Sequence, residues 1–187
     1  MALLTTDQVL DWVPTAEAHR HKLDDLIAWA TELAEQHCDR VFVSAAQLEY
    51  HDVDDPRCKC LQLRAYPVAA VTYIKEDAQG TSPTTLVTTA YTLDSARGLL
   101  YRNGAYWYEG KQAVLVSYTG GYSATTLPGG LRRALLQLCA HVLTGRGNVG
   151  VASESADGQS QTYLTYLGAV PQDVAAMLAP YRRLGAG

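Results

Sequence analysis

Three features predict an α+β fold: a long amphipathic helical pattern near the start, about six short strand-like runs in the middle, and a second long amphipathic pattern after them. Short strands that follow one another without intervening helices pair antiparallel, because parallel pairing needs long crossovers. The two helical patterns flank this region in sequence, and each presents one apolar stripe, so they most simply pack on each other. The expected organisation is residues 1–40 as the N-terminal helices of a helical core and 41–126 as an inserted antiparallel β-sheet region. Residues 127–147 then supply the long helix completing the core, and 148–187 a flexible loop and a short C-terminal docking helix.

Element by element, Thr5-Thr6-Asp7 before Gln8-Val9-Leu10 reads as a capped helical turn halted near Pro14. A longer helix is expected from about Ala16 to His37, where Leu23, Leu26, Ile27, Ala30, Leu33 and Ala34 fall on one stripe. From Val41 the period shortens. Phe42–Ser44 and Leu48–Tyr50 look extended, and Cys60–Ala65 alternates at period two. Val71–Ile74, Tyr91–Leu93, Gly98–Tyr101 and Ala113–Tyr118 are β-branched, aromatic or alternating. Asp54-Asp55-Pro56, Tyr66-Pro67, Asp77–Gly80, Asn103-Gly104 and Glu109-Gly110 supply the turns between them. Helix returns after Pro128, with Leu131, Ala134, Leu135, Leu138, Cys139, Val142 and Leu143 on one face and Gly145 and Gly147 at its end.

After a small, polar and uncommitted stretch from Asn148 to Gln161, residues Pro171–Arg183 form the last helix. Pro171 suits a first helical turn, Asp173 suits the positive end of the dipole, and Pro180 cuts the helix short. Val174, Met177 and Leu178 make its stripe, with Tyr181, Arg182 and Arg183 at its tip. Two turns of helix are marginal in water alone. This one must dock, either on its own domain or on another chain.

The chain has 187 residues, is 48% hydrophobic and carries a net charge of −4. It holds no apolar run of membrane-spanning length and no basic, apolar leader at Met1–Asp7, so residence in the cytoplasm or in a particle assembled there is expected. The charge is segregated. Residues 1–109 hold nine Lys/Arg against sixteen Asp/Glu, whereas 110–153 hold Lys111, Arg132, Arg133 and Arg146 with no acid. Such asymmetry suits head-to-tail contact between copies, with Arg132 and Arg133 as the candidate subunit-interface residues.

No catalytic or metal-binding constellation stands out, and no cofactor is expected. Cys38, Cys58, Cys60 and Cys139 lack zinc-site spacing and read as free thiols. His51-Asp52-Val53-Asp54-Asp55 gathers potential cation ligands but lacks the glycine and distal glutamate of a calcium loop, so it reads as a solvated turn. His19 and His21 stand two residues apart, too close to share a helix face, and His141 sits on a polar helix edge. No Gly-x-Ser-x-Gly elbow accompanies them. Thr119-Gly120-Gly121-Tyr122 is glycine-rich, yet no Lys-Ser/Thr follows to hold a phosphate. Tyr101, Tyr106, Trp107, Tyr108, Tyr118 and Tyr122 suit base stacking, or sheet packing and a protein interface, and the few cations nearby favour the second.

Two motifs in order point to a family: Val114–Tyr122 followed by Leu127-Pro128-Gly129-Gly130-Leu131-Arg132-Arg133 through His141, and the terminal Met177–Arg183. With the opening Leu3–Val9, and with Ala65-Tyr66-Pro67-Val68, Tyr91–Asp94 and Gly98–Tyr101 between, the chain resembles the head–tail connector (adaptor) proteins of tailed bacteriophages. The resemblance departs at Leu143-Thr144-Gly145-Arg146-Gly147, where the family usually has a Glu-Asn-Arg-Glu-like end, and in the longer polar stretch that follows. It implies a non-enzymatic, homo-oligomeric ring, a dodecamer beneath the portal protein in the virion neck, assembled in the host cytoplasm. Such a ring extends the DNA channel without sequence-specific binding and offers a platform to the stopper or tail. Val174, Met177, Leu178, Tyr181, Arg182 and Arg183 would be the portal contact. The alternatives are another neck component such as a stopper, or a small nucleic-acid-binding protein.

Overall fold

A computed structural model of the chain describes residues 2–80, 82–145, 153–156, 159–162 and 170–183. Helices and antiparallel sheets are both present, as expected of an α+β fold. The chain divides into a helical unit of residues 2–39 and 124–182 and a β unit that holds 40–123 together with Arg183.

In the helical unit, α1 spans Thr6–Trp12. Thr5 caps it reciprocally: the Thr5 hydroxyl accepts from the Gln8 N–H at 3.3 Å, and the Gln8 side chain accepts from the Thr5 N–H at 3.0 Å. The long helix expected from Ala16 is shorter than its pattern promised. Pro14–Lys22 form a 3-10 stretch, and α2 begins only at Leu23 and runs to Cys38. The reason lies in burial. Ala16 is the one buried residue of the 3-10 stretch, so an α-helix there would have no apolar face to dock, whereas the stripe of α2 is buried from Leu23 onward.

Helix α3 covers Gly129–Gly145 and packs on both α1 and α2. Leu131, Ala134, Leu135, Leu138 and Cys139 are fully buried along it, and Leu26, Ile27 and Ala30 are buried along α2. Burial pushes the Cys139 thiol up to about 12, so it stays protonated and behaves as a small hydrophobe. Helix α4, Gln172–Leu178, packs on α2 and α3 and runs into a 3-10 turn at Ala179–Tyr181. Pro171 is the cap residue of α4 rather than part of its first turn.

The β unit contains two sheets. The first joins β1 (Ala45–Val53), β7 (Gly110–Gly120), β3 (Val68–Glu76) and β4 (Thr84–Thr85) in that order. The second joins β2 (Cys60–Gln62), β6 (Leu99–Arg102) and β5 (Tyr91–Asp94). All named pairings are antiparallel. Strand β7 is central, with Leu115 opposite Tyr50 on one side and Lys75 on the other. Its run Ala113–Val116 is buried throughout, which is why it reads as continuously apolar. Leu61, Ile74, Leu100, Trp107, Val114 and Val116 bring both sheets into one apolar core. Phe42–Ser44, expected as a strand, contributes only an isolated bridge from Val43 to Tyr122, beside another from Val41 to Ala65.

Polar groups stitch this core. Arg102 on β6 grips Glu76 on β3 through two bonds of 3.0 and 3.1 Å and donates a third to the Ala90 carbonyl at 2.8 Å. Tyr118 donates to Glu49 at 2.7 Å and accepts from the Ala65 N–H at 3.0 Å. Buried Arg40 lies 3.3 Å from the Tyr66 ring centre, donates to the Tyr66 carbonyl and reaches the Tyr122 hydroxyl at 3.1 Å. The Tyr66–Pro67 peptide is cis.

The glycine pair after β7 has a packing role. Gly121 adopts φ of +109°, and a Cβ there would stand 2.7 Å from the Val43 carbonyl, while one on Gly120 would run into the Ala65 carbonyl. Close backbone approach, not phosphate binding, explains these glycines. Half of the uncommitted stretch expected at 148–161 falls outside the described residues. Its described pieces, β8 (Ser153–Ala156) and β9 (Gln159–Thr162), pair as an antiparallel hairpin.

Candidate functional site

The terminal helix is held by its own domain. Val174 and Leu178 are 0% exposed, so the apolar stripe that was expected to fill a groove on a partner is already used inside the helical unit. The Cys38 thiol meets the Leu178 carbonyl at 3.8 Å, and His141 on α3 sits 2.9 Å from the Asp173 carboxylate on α4. His141 holds the Asp173 carboxyl below its ordinary range. The Tyr181 hydroxyl lies where a Cβ on Gly130 would be, 2.7 Å away, so the glycine admits the ring against the start of α3.

What the segment leaves at the surface is narrower than the sequence promised. Met177 and Tyr181 are half-buried and Arg182 is exposed. Arg183 donates to the Gln62 carbonyl at 2.9 Å within the β unit, and its positive charge bears on buried His51. His51 has its pKa lowered, first by desolvation, and its ring lies 3.5 Å from Glu49. Glu49, His51 and Tyr118 are therefore parts of one buried polar network, and burial also drives the Tyr118 hydroxyl upward. Tyr118 and Glu49 satisfy each other in the sheet core, whereas the His51 Nε2 only approaches Glu49 and makes no hydrogen bond among the described residues.

The two arginines expected at a subunit interface have intramolecular roles. Arg132 donates to the Ala124 carbonyl at 3.0 Å, and Arg133 lies 5.8 Å from the Trp12 ring. Both contacts belong to the helical unit and tie α3 to its surroundings. The His51–Asp55 run is likewise dispersed. His51 points inward, Asp52 and Asp54 hold Lys111 at 3.3 and 2.9 Å, and Asp55 accepts from the Arg57 N–H at 2.8 Å. Among the described residues no His, Cys, Asp or Glu group could hold a metal ion, and no helix is long and apolar enough to cross a membrane.

Large aromatics remain at the surface of both units. In the β unit Tyr101, Tyr106 and Tyr108 are 41%, 49% and 51% exposed, while Trp107 between the last two is buried. Lys59 sits 5.1 Å from the Tyr106 ring. In the helical unit Trp12 and Trp29 are 43% and 37% exposed. Trp29 lies off the apolar stripe of Leu23, Leu26, Ile27, Ala30, Leu33 and Ala34 on α2. Its offset from that stripe was the signal that marks it as a surface residue.

The profile of the head completion protein family matches residues 2–184, nearly the whole chain. The chain belongs to this family. The chain is accordingly a component of the head–tail neck of a phage or phage-like particle. No curated protein matches it. Among solved structures, a chain in the virion of a native gene transfer agent particle shares its fold at a TM-score of 0.61 and 20% identity, over 98% of this chain and 91% of that one. A chain in the neck of a native gene transfer agent particle, computed with C12 symmetry, matches at 0.56 and 21% identity over 93% and 90%. One in the neck of an empty particle, computed with C6 symmetry, matches at 0.56 and 21% over 87% and 80%. This head completion protein shares its fold with those chains.

Proposed function

We propose that this head completion protein is the adaptor of the neck: a non-enzymatic, homo-oligomeric ring, a dodecamer, seated beneath the portal. It extends the DNA channel and offers a platform to the stopper or tail. The family match across residues 2–184 carries the reading, and the fold shared with chains of neck reconstructions at C12 and at C6 symmetry is in keeping with a ring. Genomic DNA passes without sequence readout, in keeping with a chain of net charge −4.

The portal contact is proposed on the outer side of the terminal segment. Met177, Tyr181 and Arg182 are available there, with Arg182 reaching acidic groups on the portal. Val174 and Leu178 are withdrawn from it because the domain's own core holds them. Arg183 is engaged with the Gln62 carbonyl.

The test uses heads assembled without this protein, to which purified protein is added and the portal vertex imaged by electron microscopy. Wild type is expected to place a ring on the vertex, and Arg182→Glu to leave most vertices bare while melting normally. Full occupancy by Arg182→Glu removes the proposed contact. Absence of wild-type rings removes the adaptor reading itself.

A further inference from the structure

Two exposed surfaces remain that nothing above uses, and their chemistries are complementary. One lies on the β unit, on the outer side of the β2–β6–β5 sheet. Tyr101 stands opposite Cys60 across the β2–β6 ladder, and Tyr106 and Tyr108 project from the loop that follows β6. Exposed Lys59 leans over Tyr106, and exposed Arg97 lies near enough for its charge to act on the Tyr101 hydroxyl. Asp94 is also near Tyr101 and keeps its negative charge, its carboxylate accepting from the Arg97 backbone N–H at 3.2 Å, so this edge of the face carries both signs and Lys59 and Arg97 supply its positive side. Neither the Lys59 ammonium nor the Arg97 guanidinium has an ion pair among the described residues. This is an amphipathic aromatic surface with unpaired positive charge.

The other surface lies on the helical unit. Asp25, Trp29, Glu32 and Gln36 follow one another at spacings that place them on one exposed stripe of α2. Gln36 donates to Glu32 at 3.2 Å, which leaves the carboxylate charge uncompensated. Residues 2–39 hold eight acids against Arg20 and Lys22, so the surroundings of this stripe are strongly negative. An exposed tryptophan ringed by carboxylates is the counterpart of exposed tyrosines ringed by cations.

We propose that the tyrosine-bearing face of one copy receives the acidic α2 stripe of the next, with Trp29 against Tyr101 and Tyr106, and Asp25 and Glu32 toward Arg97 and Lys59. The contact is heterologous, the type that closes into a ring when its rotation permits. It deepens the adaptor reading, on which it rests, and it replaces Arg132 and Arg133 as the basic side of the subunit contact.

Charge exchange on heads lacking the protein tests it. Asp25→Lys/Glu32→Lys and Lys59→Glu/Arg97→Glu alter exposed positions only, and thermal unfolding checks that each double variant folds. Either variant alone is expected to put rings on fewer than a tenth of the vertices that wild type fills. An equimolar mixture is expected to restore them, because in an alternating ring every contact again joins opposite charges. Rings formed by either variant alone at the wild-type level overturn the inference, as does a mixture that fails to recover. Intact rings that lose single-stranded DNA retention also overturn it and assign the tyrosines to base stacking. Wild type forming no ring overturns the adaptor reading, a distinct result.

Discussion

Leu178→Ala decides whether the last helix belongs to the protein's own core. The side chain is 0% exposed and sits on a helix that packs against both α2 and α3. Three carbons leave the core, a transfer loss of about 2.4 kcal/mol at roughly 0.8 kcal/mol per methylene. The space cannot close easily, since α2 and α3 hold each other apart along their own stripes, so a cavity term adds to this and the total falls at about 2–5 kcal/mol. For a chain of this length each kcal/mol lowers the melting temperature by roughly 2–4 °C. A fall of about 4–20 °C is expected in differential scanning calorimetry, read on the transition that includes the helical unit. A change under about 1 °C would mean that Leu178 is open to solvent in the free protein, and the packing described for α4 would be wrong.

Other positions make separate predictions. Arg102→Ala strands Glu76 among buried groups and is expected to cost about 3–5 kcal/mol in urea unfolding, whereas Arg102→Met with Glu76→Leu should recover most of it. Gly121→Ala, at φ of +109° against the Val43 carbonyl, should yield little folded protein in an expression and solubility assay, while Gly129→Ala, with open space around it and no positive φ, should stay soluble. Asp173 has a lowered folded pKa, so its contribution is complete above the ordinary carboxylate range and disappears as pH falls through the folded value. Because the pair is partly exposed, removing it by His141→Asn should cost under about 1 kcal/mol at pH 6, and nothing once Asp173 is protonated. Reversing the charge of Arg132 and Arg133 should lower the melting temperature itself, because the Ala124 carbonyl and the Trp12 ring lose their partners.

The regular elements were legible because burial leaves a period in sequence. The stripes of α2 and α3 and the alternation of Cys60–Ala65 are such periods: α3 formed where it was expected, α2 only from Leu23, and the alternating run pairs over Cys60–Gln62. The 3-10 stretch was not legible, because a helix expected from Ala16 needs an apolar face over Ala16–Lys22, where Ala16 alone is buried. Two sheets rather than one were equally hidden, since strand order depends on long-range pairing that no local pattern encodes. Charge was legible as composition but not as contact. Arg132 and Arg133 stood out by their number in an acid-free stretch, yet a carbonyl and an indole inside the same unit claim them. Lys59 and Arg97 lie within the stretch that reads as acidic overall, so composition alone does not mark them.

The same reasoning limits what truncation of the C-terminus can reveal. Removing residues 171–187 deletes Val174 and Leu178 from the helical core and also Arg183, which belongs to the β unit and donates to Gln62. Failure of such a protein to reach a portal would follow from lost stability alone, whether or not the segment touches the portal. A surface substitution keeps the two effects apart. Arg182 is exposed and, among the described residues, its guanidinium makes no ion pair, so reversing its charge should shift stability by no more than about 0.5 kcal/mol. Arg183→Ala removes a bond to a carbonyl and should lower stability by about 1 kcal/mol. If the terminal segment contacts the portal, head attachment follows Arg182 and not melting temperature. Should attachment track stability across Arg182→Glu, Arg183→Ala and Leu178→Ala alike, the segment serves only its own fold, and the portal contact must lie elsewhere on the ring.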